Sequence, residues 1–183
     1  RMKTFIINLA DATQRRLAMA SQCAALGLDY QFIDAVVGNS LSDEDLARHV
    51  ERFSESGLTK GEIGCALSHQ RIYQMMVDMN LPNALVLEDD ALCLPTLPAL
   101  LDDIARIDQP HKPRVYLLTP PTQYVENRAL SVRGVRRFFK AARIDLAVGY
   151  VVNQAGARTL LKLNSPILFE ADRWDFFCEQ SRL

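Results

Sequence analysis

A strand, a helix and a second strand follow one another within the first 34 residues. Residues 4–9 are apolar and β-branched, which predicts a buried strand. Residues 12–27 carry apolar side chains at helical spacing and stop at Gly27, and residues 30–33 form a second short apolar run. A helix that joins two strands of one sheet makes those strands parallel, so the segment predicts a βαβ unit.

The rest of the chain continues this alternation. Thr59 and Glu62 form a capping-box pattern, which predicts a long and largely buried helix to about Met79. The remaining predicted elements are strands at 84–87, 115–118 and 148–152 and helices at 96–107 and 153–163. Residues 124–146 are ambiguous, with short strands and a turn at Gly134. Alternating strands and helices predict an α/β fold with a mainly parallel central sheet.

Composition narrows the classes of protein that fit. With 183 residues, 49% of them apolar, the chain is long enough to bury the core of one domain over residues 1–183, which excludes general disorder. The 21 Lys and Arg against 22 Asp and Glu give a net charge of -1, so the chain as a whole is no electrostatic nucleic-acid binder. No apolar run approaches the roughly 18 residues that a membrane span needs.

The four cysteines are Cys23, Cys65, Cys93 and Cys178, and no two of them form a C-x-x-C pair. We interpret them as reduced, buried thiols of a cytosolic protein. The three histidines show no metal-ligand spacing with these cysteines, so the sequence predicts no Cys/His metal centre.

Polar side chains end three of the predicted strands. Asn8 ends the first strand, Asp34 the second, and three adjacent carboxylates, Glu88, Asp89 and Asp90, the third. Parallel strands bring these ends to one edge of the sheet, where ligands bind in open α/β folds. Adjacent carboxylates repel unless a cation or water screens them, and oxygen ligands suit Mg²⁺ or Mn²⁺. A divalent-cation site and a solvated acidic turn both stay open at this point.

Two other interpretations of these strand ends, a receiver domain and a dinucleotide-binding fold, fit the sequence less well. A response-regulator receiver needs an aspartate at the end of a later strand, whereas the strand at 115–118 is followed by Thr119 and Pro120. A dinucleotide-binding fold needs glycines in its first turn, and residues 8–12 contain none.

The order and spacing of several motifs resemble glycosyltransferase family 25, the lipooligosaccharide-type galactosyltransferases and their relatives, over nearly the whole chain. The motifs are Ile7–Leu9 with Arg15 and Arg16, Phe32–Val36 with Gly38, the stretch LTKGEIGCALSH at 58–69, Leu85–Ala91, and more weakly Gly149–Val152 with Gly156 and Ala157. The stretch at 58–69 is the most specific of them.

The resemblance implies a GT-A-type, Rossmann-like nucleotide-sugar-binding fold in a bacterial enzyme of lipopolysaccharide biosynthesis. It implies a UDP-sugar donor, most often UDP-galactose, and an acceptor glycan on a lipid. The acidic triplet resembles the family's equivalent of a DxD motif, which implies that Glu88 and Asp90 hold Mn²⁺ or Mg²⁺ on the UDP diphosphate. A metal there would stabilise the charge that grows on the leaving group.

Inversion at the anomeric carbon requires a carboxylate that takes the proton of the attacking hydroxyl. Of the acids Glu170, Asp172 and Asp175, the resemblance favours Asp172 as this base. The residues expected to contact the nucleotide sugar are Asn8, Arg15, Asp34, His69 and Asp89. For His69 the alternative is a core histidine with satisfied hydrogen bonds, and for Arg15 and Asp172 it is an ordinary surface residue.

Residues 128–143 contain six arginines and lysines and no acid. One interpretation of this stretch is a solvated face. The other is a surface that attracts the phosphates of a lipid-linked acceptor or an anionic membrane. We expect the protein to be cytoplasmic, or peripheral on the inner membrane. Family members usually continue beyond the region of Trp174–Phe177 with a segment that helps close the active site. An active, shortened transferase and a nucleotide-sugar-binding protein with weak or no transfer are therefore both open.

Overall fold

The computed structural model describes residues 1–119, 123–131, 137–143 and 148–181, and of 123–131 and 137–143 it describes the backbone. A 3₁₀ turn lies at Gly38–Ser40. The other elements, in chain order, are β1 (Lys3–Asn8), α1 (Thr13–Ala25), β2 (Asp29–Asp34), α2 (Asp43–His49), α3 (Phe53–Ser56), α4 (Lys60–Asp78), β3 (Asn83–Glu88), α5 (Leu97–Ile107), β4 (Val115–Leu117), β5 (Gln123–Ser131), β6 (Arg137–Arg143), β7 (Gly149–Asn153), α6 (Gln154–Leu163) and α7 (Trp174–Ser181).

Five strands form the central sheet in the order β2-β1-β3-β7-β4. β1 pairs in parallel with β2 on one side and with β3 on the other, which confirms the predicted βαβ unit and the mainly parallel sheet. β7 runs antiparallel between β3 and β4. The described residues between β4 and β7 form the antiparallel pair β5 and β6 rather than a crossover helix, so the chain re-enters the sheet at the end where it left.

The ambiguous region at 124–146 is thus two strands in its described parts, as expected. The predicted turn at Gly134 lies outside the described residues. The side chains at 128–143, expected to form the basic surface, also lie outside what the structure describes.

Alternate residues of the strands face two separate apolar layers. On one face of the sheet, side chains of β1, β3 and β7 pack on helices α4, α6 and α7, and this layer includes Phe5, Val86, Tyr150, Met76 and Trp174. On the opposite face the next residues of the same strands pack on α1 and α5, and this layer includes Ile6, Leu85, Val151, Met19 and Leu101. Full burial of one such side chain contributes about 1.5–3 kcal/mol, so the two layers position the sheet ends firmly.

No helix in the described parts of the chain is long and apolar enough to cross a bilayer. The four cysteines, all within the described ranges, form no disulfide, as predicted. Their predicted burial is wrong for Cys65, which is exposed, while Cys23 is buried and Cys93 and Cys178 are half-buried. The reason is that α4 turns Cys65 toward the edge of the sheet rather than into an apolar layer.

Helix α4 begins with the predicted capping box. The Thr59 hydroxyl accepts a hydrogen bond from the Glu62 backbone N–H, and the Glu62 carboxylate accepts one from the Thr59 backbone N–H. These bonds to the carboxylate hold the pKa of Glu62 below its usual range. The box satisfies backbone donors that a helix start otherwise leaves unpaired.

The first turns of α4 lie directly against the 3₁₀ turn that follows β2. A Cβ on Gly64 would sit 2.5 Å from the Val36 carbonyl oxygen and 2.7 Å from the Gly38 backbone nitrogen. A Cβ on Gly38 would overlap the Lys60 carbonyl. Both positions therefore need glycine because two backbones approach each other there.

We expect Gly64→Ala to lower the free energy of unfolding by about 1–3 kcal/mol, since the added methyl group meets backbone atoms that cannot rotate away. Gly61→Ala is the matched control in the same helix, because a Cβ there would have its nearest neighbour 3.9 Å away, at the Thr59 hydroxyl. That control should gain roughly 0.5 kcal/mol from the lower entropy of its unfolded chain. Urea unfolding measures both, and equal stability of the two variants would contradict the close approach.

Candidate active site

The three polar strand ends lie side by side, as predicted. In the parallel register Asn8 of β1 stands opposite Asp34 of β2, and Ile7 stands opposite Glu88 of β3. We call Asn8, Asp34 and Glu88, with the two acids that follow Glu88, the strand-end rim. The rim is the edge at which a ligand of this sheet would bind.

Asp89 is held by two partners from the start of the chain. Its Oδ2 accepts a hydrogen bond of 2.7 Å from the buried Asn8 amide, and its Oδ1 lies 3.0 Å from Nη1 of Arg15. Only 10% of the Asp89 side chain is exposed. The predicted nucleotide-sugar contacts Asn8, Arg15 and Asp89 are thus brought together, since Asn8 and Arg15 both contact Asp89. In the protein alone, Arg15 balances the Asp89 charge.

The neighbouring arginine, Arg16, faces the other part of the rim. Its Nη1 lies 3.6 Å from the Asp34 carboxylate and 3.4 Å from the Asn8 side-chain oxygen, and its guanidinium stacks over the Phe32 ring at 4.2 Å. The Asp34 side chain is 73% exposed and so remains accessible to a ligand. Both arginines belong to the first sequence motif, but the prediction of Arg15 alone as a contact overlooked Arg16.

His69 lies inside the protein, between the rim and the core. Its Nδ1 is 2.6 Å from the Tyr150 hydroxyl, which is itself 2.7 Å from the Tyr73 hydroxyl. Burial raises the pKa of both tyrosines, so they stay neutral hydrogen-bonding groups. The other ring nitrogen, Nε2, is buried, has no hydrogen-bond partner and lies 3.6 Å from Oε1 of Glu88. His69 is thus a buried residue that lies next to Glu88, one of the residues of the strand-end rim.

Cys65 lies one turn before His69 on α4 and faces the same carboxylate. Ligand atoms of Cys65, His69 and Glu88 all lie within 4.8 Å of one another, the one such trio in the described part of the chain. Burial of the sulfur raises the pKa of the Cys65 thiol to about 12, and the charges of Glu88 and Asp172 add to the rise. The expectation that no histidine has metal-ligand spacing with a cysteine was therefore wrong. The i, i+4 spacing within the predicted helix was the signal that could have found this pair.

Glu88 and Asp90 are the expected cation ligands, and a turn separates them. The Ala91 backbone N–H donates to the Glu88 carbonyl, which closes this turn, and Asp90 lies on it exposed to solvent. The Glu88 side chain is 30% exposed and points toward α4. Among the described residues, no lysine or arginine pairs with either carboxylate. Two accessible, unneutralised oxygen donors fit a hard divalent cation that keeps water or phosphate as its other ligands.

The end of the chain brings Asp172 to the same side of the sheet. Asp172 lies just before α7 and is near enough to raise the pKa of the Cys65 thiol, as Glu88 does. The other two acids considered for the base form ion pairs with Arg173, at 3.7 Å for Glu170 and 3.2 Å for Asp175, and the charge of Asp172 also acts on Arg173. Of these three acids, Asp172 is the one whose charge also reaches the Cys65 thiol, beside Glu88.

The sequence profile of glycosyltransferase family 25, described as LPS biosynthesis proteins, matches residues 2–174. The chain belongs to this family. A glycosyltransferase 25 family member of Anopheles gambiae is 32% identical over 173 residues, which cover 86% of this chain and 28% of the mosquito protein. The matched range contains the strand-end rim, α4 and β3.

Two further relatives of this family 25 chain carry different descriptions. Procollagen galactosyltransferase 1-B of Xenopus laevis is 31% identical, and inactive glycosyltransferase 25 family member 3 of Mus musculus is 30% identical. Each alignment covers 87% of this chain and 28% of the relative. The chain therefore spans little more than a quarter of the length of these relatives, and the family contains active and inactive proteins.

The two neighbouring aspartates should differ sharply in what they contribute to stability. Asp89→Ala removes a buried carboxylate that bonds Asn8 and Arg15, and we expect the free energy of unfolding to fall by about 1.5–3 kcal/mol. Asp90→Ala alters an exposed side chain and should change it by no more than about 0.5 kcal/mol. Urea unfolding of both variants checks this, and a larger loss for Asp90→Ala would show that the two roles are reversed.

Proposed function

We propose that this family 25 chain has a GT-A-type donor site and transfers galactose from UDP-galactose, with inversion and with Mn²⁺ or Mg²⁺ bound. The observation that carries the proposal is the pair of accessible carboxylates, Glu88 and Asp90, at the rim formed by three parallel strands. The description of the Xenopus laevis relatives as procollagen galactosyltransferases supports galactose as the sugar.

The charge balance of the rim supports a cation-bound diphosphate. Asp89 is matched by Arg15, and Asp34 lies 3.6 Å from Arg16. The other two carboxylates of the rim, Glu88 and Asp90, have no lysine or arginine partner among the described residues. One or two carboxylates plus substrate phosphates are what Mg²⁺ commonly takes as ligands. Asp34, exposed at the end of β2, is available to accept hydrogen bonds from ribose hydroxyls.

The transfer itself requires one new bond and one broken bond at the anomeric carbon. The acceptor hydroxyl oxygen attacks this carbon while the bond to the UDP oxygen breaks, and the bonding electrons leave with UDP. Asp172 takes the hydroxyl proton. The divalent cation, when bound, stabilises the charge that develops on the leaving diphosphate. Arg16 lies at the rim, where a cationic side chain adds to this stabilisation.

We propose a lipid-linked oligosaccharide of the lipopolysaccharide type as the acceptor. The family's description as LPS biosynthesis proteins supports this class. The basic stretch at 128–143 would attract the phosphates of such an acceptor or an anionic membrane, which suits a bacterial protein that is cytoplasmic or peripheral on the inner membrane.

A protein that binds a nucleotide sugar without transfer is the second candidate. The inactive relative of Mus musculus, 30% identical over most of this chain, favours it. The two candidates share the donor site and differ in whether Asp172 meets an acceptor. Binding and transfer must therefore be measured separately.

We expect UDP to bind in calorimetry when Mn²⁺ is present and to bind at least about tenfold more weakly without it, because Glu88 and Asp90 would hold the cation that offsets the charge of the diphosphate. Asp90→Asn should cause a similar loss without lowering stability. ADP is the control for recognition of the base. UDP binding that is equal with and without Mn²⁺, or equal in the variant, would contradict the proposed metal contact.

Asp172→Asn should lower transfer by about 10²–10⁴-fold and leave the affinity for UDP unchanged, since the amide cannot take the acceptor proton. Release of UDP from UDP-galactose in the presence of lipooligosaccharide measures the transfer. The matched control is Asp175→Asn, whose native carboxylate is engaged by Arg173 and should matter little. A wild-type protein that binds UDP and transfers nothing would favour the second candidate.

A further inference from the structure

We propose that Cys65, His69 and Glu88 form a site for a transition-metal ion of the Zn²⁺ class, distinct from the cation expected on the donor diphosphate. The ligands would be the Cys65 sulfur, Nε2 of His69 and a carboxylate oxygen of Glu88. α4 supplies the first two, and the end of β3 supplies the third.

The spacing of the three ligand atoms fits one ion. Nε2 of His69 and Oε1 of Glu88 are 3.6 Å apart, which is long for a hydrogen bond. Two ligands on one tetrahedral zinc ion, with bonds of about 2.0–2.2 Å, lie about 3.3–3.5 Å apart. The sulfur lies within 4.8 Å of both other atoms, so small side-chain rotations would bring all three to one ion.

The surroundings of His69 point its free nitrogen at this position. The Tyr150 hydroxyl lies 2.6 Å from Nδ1, and the Tyr150 and His69 rings stack with centroids 5.7 Å apart. With the proton on Nδ1, the ring donates to Tyr150 and leaves the Nε2 lone pair facing Glu88 and Cys65. A second hydrogen bond on the far nitrogen is the usual support of a metal-bound histidine. The buried and unpartnered Nε2 is thus explained if it ligates a metal ion.

The donor set selects the class of metal. One thiolate, one imidazole and one carboxylate suit Zn²⁺ or Co²⁺, whereas Mg²⁺ and Mn²⁺ prefer oxygen ligands. Three protein ligands leave the fourth position of a tetrahedral ion open. The Cys65 residue is exposed although its thiol is half-buried, so an ion can reach the site from the Cys65 side. Asp172, near enough to influence the Cys65 thiol, lies on the same side.

This site shares Glu88 with the proposed donor-cation site and is otherwise independent of the proposed function. Asp90 belongs only to the donor site, and Cys65 belongs only to the new one. Variants of these two residues therefore test the two proposals separately.

The test is a titration of the metal-free, full chain with Co²⁺, followed by absorption in the near ultraviolet and the visible. We expect one Co²⁺ per chain, with a thiolate-to-cobalt charge-transfer band and the visible spectrum of a tetrahedral ion, and displacement of Co²⁺ by added Zn²⁺. Cys65→Ser should abolish the charge-transfer band, and Cys93→Ser, which changes a half-buried thiol outside the cluster, should keep it. His69→Gln should weaken binding, and Tyr150→Phe should weaken it about 10–100-fold through the lost support.

Circular dichroism and thermal unfolding of the variants verify that each one folds. If a variant of the buried His69 or Tyr150 does not fold, the test still rests on Cys65→Ser, because Cys65 is an exposed residue. Co²⁺ binding without a thiolate band, a band that survives Cys65→Ser, or no binding of Co²⁺ or Zn²⁺ would overturn the site. UDP binding with Mn²⁺, measured on Asp90→Asn and on Cys65→Ser, shows whether the donor-site proposal stands or fails on its own.

Discussion

The parallel pairing of β1 with both of its neighbours is the constraint on which the site depends. It places the ends of three strands in one row, so the last residue of each strand has a fixed position at the rim. Asn8, at the end of β1, links this end directly to that of β3, because its side-chain amide donates a hydrogen bond to Asp89, the residue after β3. If one of these neighbours ran antiparallel to β1, its polar end would lie at the opposite edge of the sheet, a strand length away from Asn8.

Helix α4 brings a second group of polar side chains next to this row. Gly64 allows the helix to approach the turn after β2, and the Ser68 hydroxyl accepts from the Val36 backbone N–H and donates to the Gly64 carbonyl. One turn of close contact thus fixes the helix against the end of β2. Cys65 and His69, on the adjoining face, are thereby brought to Glu88. The motif at 58–69 accordingly combines packing residues with residues that face the rim.

Periodicity and capping were enough to predict the βαβ unit, α4 and the meeting of the strand ends, because these follow from local pattern and from the geometry of parallel strands. The side chains that meet there were harder to predict. Arg15 and Arg16 are adjacent on a helix and point in directions about 100° apart, so their targets depend on where α1 starts and how it packs. Cys65 and His69 share a face at a spacing visible in the sequence, but their contact with Glu88 exists only after α4 docks on the sheet.

The position of Glu88 gives it a different role from that of its two neighbours. The Asp89 side chain is largely covered and is matched by Arg15, whereas Asp90 is exposed to solvent on the turn, so each of the two faces a single environment. Glu88 has two, because its partly exposed side chain faces both the open rim and the unpartnered nitrogen of His69. A carboxylate has two oxygens, so an ion bound to one of them leaves the other available. A metal ion held by Cys65, His69 and Glu88 would therefore reduce the negative charge that Glu88 offers to a cation at the proposed donor site. Metal binding by Cys65, His69 and Glu88 and cation binding at the proposed donor site would then be linked through this single side chain.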